Sequence, residues 1–250
     1  VIHDGENLGI SGRLNRLLPL ITTDWMVIIA ADDFFSPYGL SHLRNAIEED
    51  VSFIWGNLAV VNQAGEPTGR YRPKGTWIEN LAKKYKEADY PRHDVLRYNN
   101  FISGGMTLIR VSSVKELGGW DSSVTTEDYD LWLRAGEKYR FKFVDEVVGN
   151  YRIVENSKSR LSRHKLEDNI ALLSKWVTSD PSGVAKMVAM RWAFTAVRTR
   201  RFPHIGLLKM ADYVGLPRWR VVVVAPWAVV HPVIGSFLAS VRRLTRHPNP

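Results

Sequence analysis

Between Asp24 and Ala31 the chain runs Asp-Trp-Met-Val-Ile-Ile-Ala-Ala and then stops at two consecutive carboxylates, Asp32 and Asp33. An apolar run of strand length without alternation suits a strand covered on both faces, as in an α/β sheet. The flanking segments agree with that reading. Ser11 to Ile21 places Leu14, Leu17 and Leu18 on one helical face, and Ser36-Pro37 opens a second helix over 37–46. Val51 to Val61 returns as a strand, ended by the turn cluster Asn62-Gln63-Ala64-Gly65-Glu66-Pro67. The order helix, strand, helix, strand predicts an α/β sheet with crossover connections.

Further along, the spacing predicts an amphipathic helix over 77–88, a short strand over 107–110 and a short helix over 111–117 stopped by Gly118-Gly119. Thr125 or Thr126 caps the next helix, Glu127 to about Lys138, and short strands follow over 141–144 and 147–151. Beyond Ser162 come helices rich in Arg and Trp. The boundary falls in 155–162, so the expected division is a mixed α/β domain over 1–160 and a basic helical C-terminal region over 161–250.

Charge sharpens that division. From Lys186 onward eleven Lys/Arg meet one acid, Asp212, so this stretch carries +10 within a chain total of +8. Such a tail attracts anionic surfaces, either acidic lipid headgroups or nucleic acid. Within it, 221–241 holds no Lys, Arg, Asp or Glu and lies between Arg218 and Arg220 on one side and Arg242 and Arg243 on the other. That length reaches across a bilayer, but Pro226, His231, Pro232 and Gly235 interrupt it, so a kinked or interfacial helix fits equally well, and a buried helical hairpin is the third reading. Trp192, Trp219 and Trp227 sit beside long apolar runs better matched to lipid than to stacked bases, so nucleic acid is not the expected partner. The absence of cysteine removes disulfides, zinc-thiolate sites and cysteine nucleophiles. Chemistry must come from carboxylates, His, Ser or bound metal.

Two acidic clusters are the candidates. Asp32 and Asp33 stand at the carboxyl end of the most apolar strand, where open α/β sheets bind ligands, and adjacent carboxylates suit Mg²⁺ or Mn²⁺. Asp-Asp after a strand is equally ordinary turn chemistry. The second cluster is Asp121, Glu127, Asp128 and Asp130. Acids in a helix's first turn complement its dipole, yet four in ten residues exceed what a cap requires, and one of them can serve as a general base. Between the clusters, Ile102-Ser103-Gly104-Gly105-Met106 lets backbone approach a ligand closely or makes a bulge. Asn7-Leu8-Gly9-Ile10-Ser11-Gly12 with Asn15 is a glycine-containing helix entry that can meet phosphate oxygens or simply cap the helix. Tyr151-Arg152 offers a forked phosphate donor after the last strand, or a surface arginine.

In order along the chain, these motifs resemble family 2 of the nucleotide-sugar glycosyltransferases. The residues that carry the resemblance are Asn7-x-Gly9 with Asn15, the apolar strand into Asp32-Asp33, Gly104-Gly105 before 107–110 and Gly118-Gly119-Trp120-Asp121. Thr126-Glu127-Asp128-Tyr129-Asp130-Leu131-Trp132-Leu133-Arg134 and Tyr151-Arg152 with Asn156-Ser157-x-Ser159 complete the set. The resemblance covers about 1–160. It implies a GT-A-like mixed sheet flanked by helices, lacking its N-terminal strands and thus N-terminally truncated, followed by the C-terminal helical region. It further implies an inverting transfer from a nucleoside-diphosphate sugar to a hydroxyl acceptor, with a divalent metal. Asp32 and Asp33 would take the metal and diphosphate, Asp128 would be the base, and Glu127 would position the acceptor. Asn15, Arg13, Gly104, Gly105, Trp132 and Arg152 would contact substrate. Three positions depart from the family pattern: Ala30 where an Asp is common, Leu14 with Arg13 one step earlier, and Val154 where a His often follows.

The expected partners are the sugar donor, a glycan or lipid-linked acceptor and an anionic membrane. The expected setting is the cytoplasmic face of a bacterial membrane, in synthesis of a surface polysaccharide such as O-antigen, capsule or exopolysaccharide. Two other classes use the same features: a non-catalytic membrane- or nucleic-acid-binding module, and a metal-dependent nucleotidyltransferase or phosphohydrolase.

Overall fold

The computed structural model describes residues 5–72, 84–85, 89–90, 100–154, 172–173 and 175–176. The chain divides into two compact units, Val1–Lys165 and Leu166–Pro250, and the architecture below is that of the first. The expected features at 77–88 (apart from Lys84 and Tyr85), Asn156 to Ser159 and 221–241 lie outside the described residues. Among the described residues no helix is long and apolar enough to cross a membrane.

Helix α1 (Gly9–Leu17) runs into a 3-10 turn, Leu18–Leu20, where Pro19 removes an N–H that a continuing α-helix would need. Strands β1 (Trp25–Val27) and β2 (Phe34–Phe35) precede α2 (Gly39–Asn45). Then come β3 (Val51–Val61), β4 (Pro67–Arg72), β5 (Leu108–Arg110), α3 (Val111–Glu116), α4 (Glu127–Lys138) and β6 (Arg140–Arg152). The six strands form one mixed sheet in the order β1-β5-β3-β6-β2, with β4 pairing β3 off that path. This is the expected mixed sheet with flanking helices.

The centre is β3, whose sequence Val-Ser-Phe-Ile-Trp-Gly-Asn-Leu-Ala-Val-Val is buried at all but Asn57 and Ala59. A central strand faces protein on both sides, so its apolar residues need not alternate. On one face Phe53 stacks on Phe141 at 4.5 Å and meets Trp132 of α4 edge-on at 5.6 Å, while Trp55 lies 4.4 Å from Phe143. On the other, Ile54 and Leu58 pack with Leu43 of α2, Met106, Leu108 and Val148. Along one edge β3 pairs with β6 in parallel; along the other it meets β5 at Phe53–Ile54 and β4 from Leu58 to Val61.

Three expectations change. The run 24–31 is a strand only over Trp25–Val27, sits at the sheet edge beside β5, and is half exposed rather than covered on both faces. After a last cross-strand bond from the Met106 amide to the Ile28 carbonyl at 2.8 Å, its strand character ends where Ala30 accepts from the Asp33 amide at 3.1 Å, closing a turn. The two short strands expected over 141–151 are one strand, β6. Its register jumps from Gly56↔Val144 to Asn57↔Val147, so Asp145 and Glu146 bulge out and the ladder resumes. The 62–67 turn leads into β4, an almost wholly exposed strand that carries no hydrophobic alternation to announce it.

Candidate active site

Asp32 and Asp33 occupy the turn after β1 and enter β2, which pairs antiparallel with the end of β6 through Phe34↔Asn150 and Phe35↔Gly149. That pairing brings Arg152 onto the acidic turn. Its backbone N–H donates to Asp33 Oδ1 at 2.9 Å, its Nε to the Asp32 carbonyl at 2.8 Å and an Nη to the Gln63 carbonyl at 2.8 Å. Its guanidinium also lies 5.4 Å over the Phe34 ring. Asp32 is exposed and Asp33 half-buried. Burial pushes the Asp33 carboxyl above its ordinary value; the Arg152 amide opposes this, the Asp32 charge adds to it, and the Arg72 and Arg152 cations pull it down.

The second cluster opens α4. Asp128 Oδ1 accepts from the Tyr129 amide at 2.7 Å and Oδ2 from Asn100 Nδ2 at 2.9 Å, so each carboxylate oxygen has a donor. Asn100 Oδ1 and Thr126 Oγ1 are both buried without a hydrogen-bond partner. Thr126 holds the N-cap position, but its hydroxyl makes no cap bond, which corrects the expected threonine cap. Glu127 lies half-buried beside Asp128 at the same helix start.

The glycine pair joins the two clusters. A Cβ on Gly104 would stand 2.8 Å from Asp128 Oδ2 and 2.9 Å from its Cβ, and a Cβ on Gly105 would stand 3.8 Å from Asp33 Oδ2. Two adjacent residues, with Cα atoms about 3.8 Å apart, therefore touch both acids. Gly104 must lack a side chain for this close approach. Met106, which follows, is held at φ 59°, an uncommon conformation for a side-chain-bearing residue that the surroundings must enforce. Its amide bond to Ile28 and the seating of its sulfur against Gly149, 1.9 Å from where a Cβ would be, do so.

Other expected contacts have structural occupations. Trp132 is buried in the core and its indole N–H donates to the Ile102 carbonyl at 3.2 Å, so it holds the loop that carries Gly104 and Gly105. Asn15 exchanges two bonds with the Trp120 backbone, Nδ2 to the carbonyl at 2.7 Å and Oδ1 from the amide at 2.8 Å. Its polar atoms stitch α1 to the Gly118-Gly119 turn. Arg13 donates to the Glu6 carbonyl at 2.8 Å, on the segment before α1. Asp130 is wholly buried and paired with Arg134 at 2.7 Å, and Arg134 also donates to the Leu117 and Gly119 carbonyls. This ion pair anchors α4 to the diglycine turn.

Two residues escaped sequence reading. Asn100 carries no motif beyond its place just before Phe101-Ile102-Ser103-Gly104-Gly105. Arg72 lies in the charged β4, and its guanidinium stands 4.4 Å over the Tyr151 ring.

A model of the family described as Glycosyltransferase like family 2 matches residues 1–155. The chain belongs to that family. Among solved structures, this family member is similar to S. aureus TarS 1–349 in complex with UDP-GlcNAc, with a TM-score of 0.54 and 13% identity over 83% of this chain and 61% of that one. It is also similar to the mannosyltransferase PcManGT from Pyrobaculum calidifontis in complex with GDP-Man and Mn²⁺, with a TM-score of 0.51 and 15% identity over 97% of this chain and 61% of that one. At these identities the likeness is one of fold, and the fold is GT-A-like. The chain spans about three fifths of the length of either neighbour. No curated protein matches it in sequence.

Among the described residues no three His, Asp or Glu side chains cluster as a metal cage. The carboxylate pair still fits Mg²⁺ or Mn²⁺, because such an ion is commonly held by one or two carboxylates and completed by water and substrate phosphates.

Proposed function

We propose that this protein transfers a sugar from a nucleoside-diphosphate sugar to a hydroxyl acceptor with inversion at the anomeric carbon. The observation that supports it most is the meeting of Asp33 and Asp128 at Gly104-Gly105, which sets a diphosphate-side carboxylate and a proton acceptor around one small patch of open backbone. A divalent cation, held by Asp33 with Asp32, would supply positive charge to the departing diphosphate. Asp128 takes the acceptor hydroxyl proton as the oxygen forms its bond to the anomeric carbon and the bond to the diphosphate oxygen breaks on the opposite face. Proton removal by a positioned base contributes about 10² to 10⁴ in rate. Asn100 orients that base by its bond to Oδ2, and Glu127 positions the acceptor beside it.

The fold neighbours carry UDP-GlcNAc and GDP-Man, so uracil and guanine donors are the ones to test first. The acceptor is a glycan or a lipid-linked precursor of a bacterial surface polysaccharide, and the enzyme works at the cytoplasmic face of the membrane. Support for the membrane comes from the tail, +10 from Lys186 onward with an uncharged stretch at 221–241.

The test is a product assay with Mn²⁺, a panel of nucleotide sugars and hydroxyl acceptors. Transfer that Asp128→Asn lowers by about 10² to 10⁴, with donor binding kept, is the expected result. Wild-type turnover in the variant removes Asp128 as base. Release of free sugar and nucleotide without any transfer product indicates a hydrolase instead, and transfer of the nucleotidyl group with release of sugar phosphate a nucleotidyltransferase.

A further inference from the structure

In the sheet, β4 meets β3 through Leu58↔Arg72 and Val60↔Arg70, while β6 meets the other side of β3 through Leu58↔Gly149 and Val60↔Tyr151. Residues directly opposite in neighbouring strands share a face, so Arg70, Arg72, Gly149 and Tyr151 lie on one side of the sheet. Met106 covers Gly149 on that side, one residue after the glycine beside Asp33. Tyr151 packs at the margin of the same cluster, and the Arg72 guanidinium stands 4.4 Å over its ring.

The other arginines of this sheet end spend their donors on protein. Arg152 bonds the Asp32 and Gln63 carbonyls, and Arg70 gives its Nε to Thr68 Oγ1 at 3.4 Å. The Arg72 guanidinium donates no hydrogen bond to any described residue. It is exposed and held over the ring of Tyr151, whose chain neighbour Arg152 gives its backbone N–H to Asp33 Oδ1 at 2.9 Å. A cation in that state, opposite a carboxylate pair suited to a divalent ion, matches a ligand with several anionic oxygens, one to the metal and one to the guanidinium fork.

We propose that Arg72 is a phosphate-binding residue of the Asp32-Asp33 turn, seated on Tyr151 beside the Arg152 amide that bonds Asp33, so that its free guanidinium donors take a phosphoryl oxygen of the bound ligand. This rests on reading the two acidic clusters as a nucleotide-sugar site and adds a residue to it. The phosphate belongs either to the donor's diphosphate or to a phosphate carried by a lipid-linked acceptor.

Calorimetric titration of the full chain with UDP, GDP and inorganic pyrophosphate, each with Mn²⁺, and with farnesyl phosphate tests it. Arg72→Ala should weaken the diphosphates about ten-fold or more, the usual scale for a charge-assisted bond, with Arg72→Lys recovering part. Arg70→Ala removes the same charge from the same strand and should stay within about two-fold if the effect is a local contact rather than a bulk field. Loss confined to farnesyl phosphate assigns the phosphate to the acceptor. Equal affinities in wild type and Arg72→Ala, equal losses in the two alanine variants, or no binding of any of the four ligands by the wild type each overturn the proposal. Arg72-dependent binding of pyrophosphate without UDP or GDP binding keeps Arg72 and discards the nucleotide-sugar reading.

Discussion

Asp33 gives one oxygen to the Arg152 amide and turns the other toward Gly105, and burial raises the pKa of that carboxyl. The sign follows directly. A carboxyl whose folded pKa lies above its ordinary value of 3.8 favours the fold when protonated, and that advantage is lost as pH rises through the raised value. Asp33→Asn keeps an oxygen for the Arg152 amide and removes the charge. The variant should therefore melt higher than wild type at neutral pH without ligand, by a margin that vanishes below the ordinary carboxylate range, while metal-dependent donor binding disappears. Thermal melts across pH with and without Mn²⁺ and nucleotide check both halves; a variant that melts lower at neutral pH refutes the sign. Both acidic clusters were legible in the sequence because carboxylates at a strand end and a helix start are conspicuous. Asn100 and Arg72 were not, since a single amide or a surface arginine acquires meaning only from the neighbour that folding supplies. Asn15 and Trp132 stood out for the same motifs, but their polar atoms turn inward to the Trp120 and Ile102 backbone.

At the level of elements, β3 was readable to the residue because a central strand must be apolar on both faces, and α4 because its acids and its Tyr, Leu and Trp fall at helical spacing. The edge position of β1 was hidden, since an apolar run does not announce its neighbours, and the exposed β4 had no pattern to find. The helix ends make two predictions. Asn15→Ala leaves the Trp120 amide and carbonyl unpaired at the junction of α1 with the Gly118-Gly119 turn, and should cost about 1 to 3 kcal/mol in denaturant unfolding with kcat unchanged in the folded protein. A large fall in donor affinity at unchanged stability would place Asn15 on the substrate. Gly39, the first residue of α2, lies against β6 so closely that a Cβ would meet the Val148 carbonyl oxygen at 1.9 Å. Gly39→Ala should lower stability by about 1 to 3 kcal/mol or more through overpacking. Unfolding that matches wild type would mean that α2 can lift from the sheet without penalty.

Over the whole molecule, the charge is divided between a body of net −2 and a tail of +10. Sedimentation with vesicles should separate the two anionic partners such a tail can take. Retention on phosphatidylserine-containing vesicles, falling with added salt and absent on phosphatidylcholine, is expected at about 1 kcal/mol per cation near the surface. Equal or stronger retention on duplex DNA would reassign the tail. In the body, the bond from Arg152 to Asp33 spans 119 positions, and β3 and β6 pair in parallel only after everything between them has been made. Pairing of distant segments is late and slow compared with local helix formation. A nascent chain still short of Arg152 on the ribosome therefore has a carboxylate turn without its clamp. A chain cut before that residue would keep both carboxylates and lose the backbone amide and guanidinium that fix their turn.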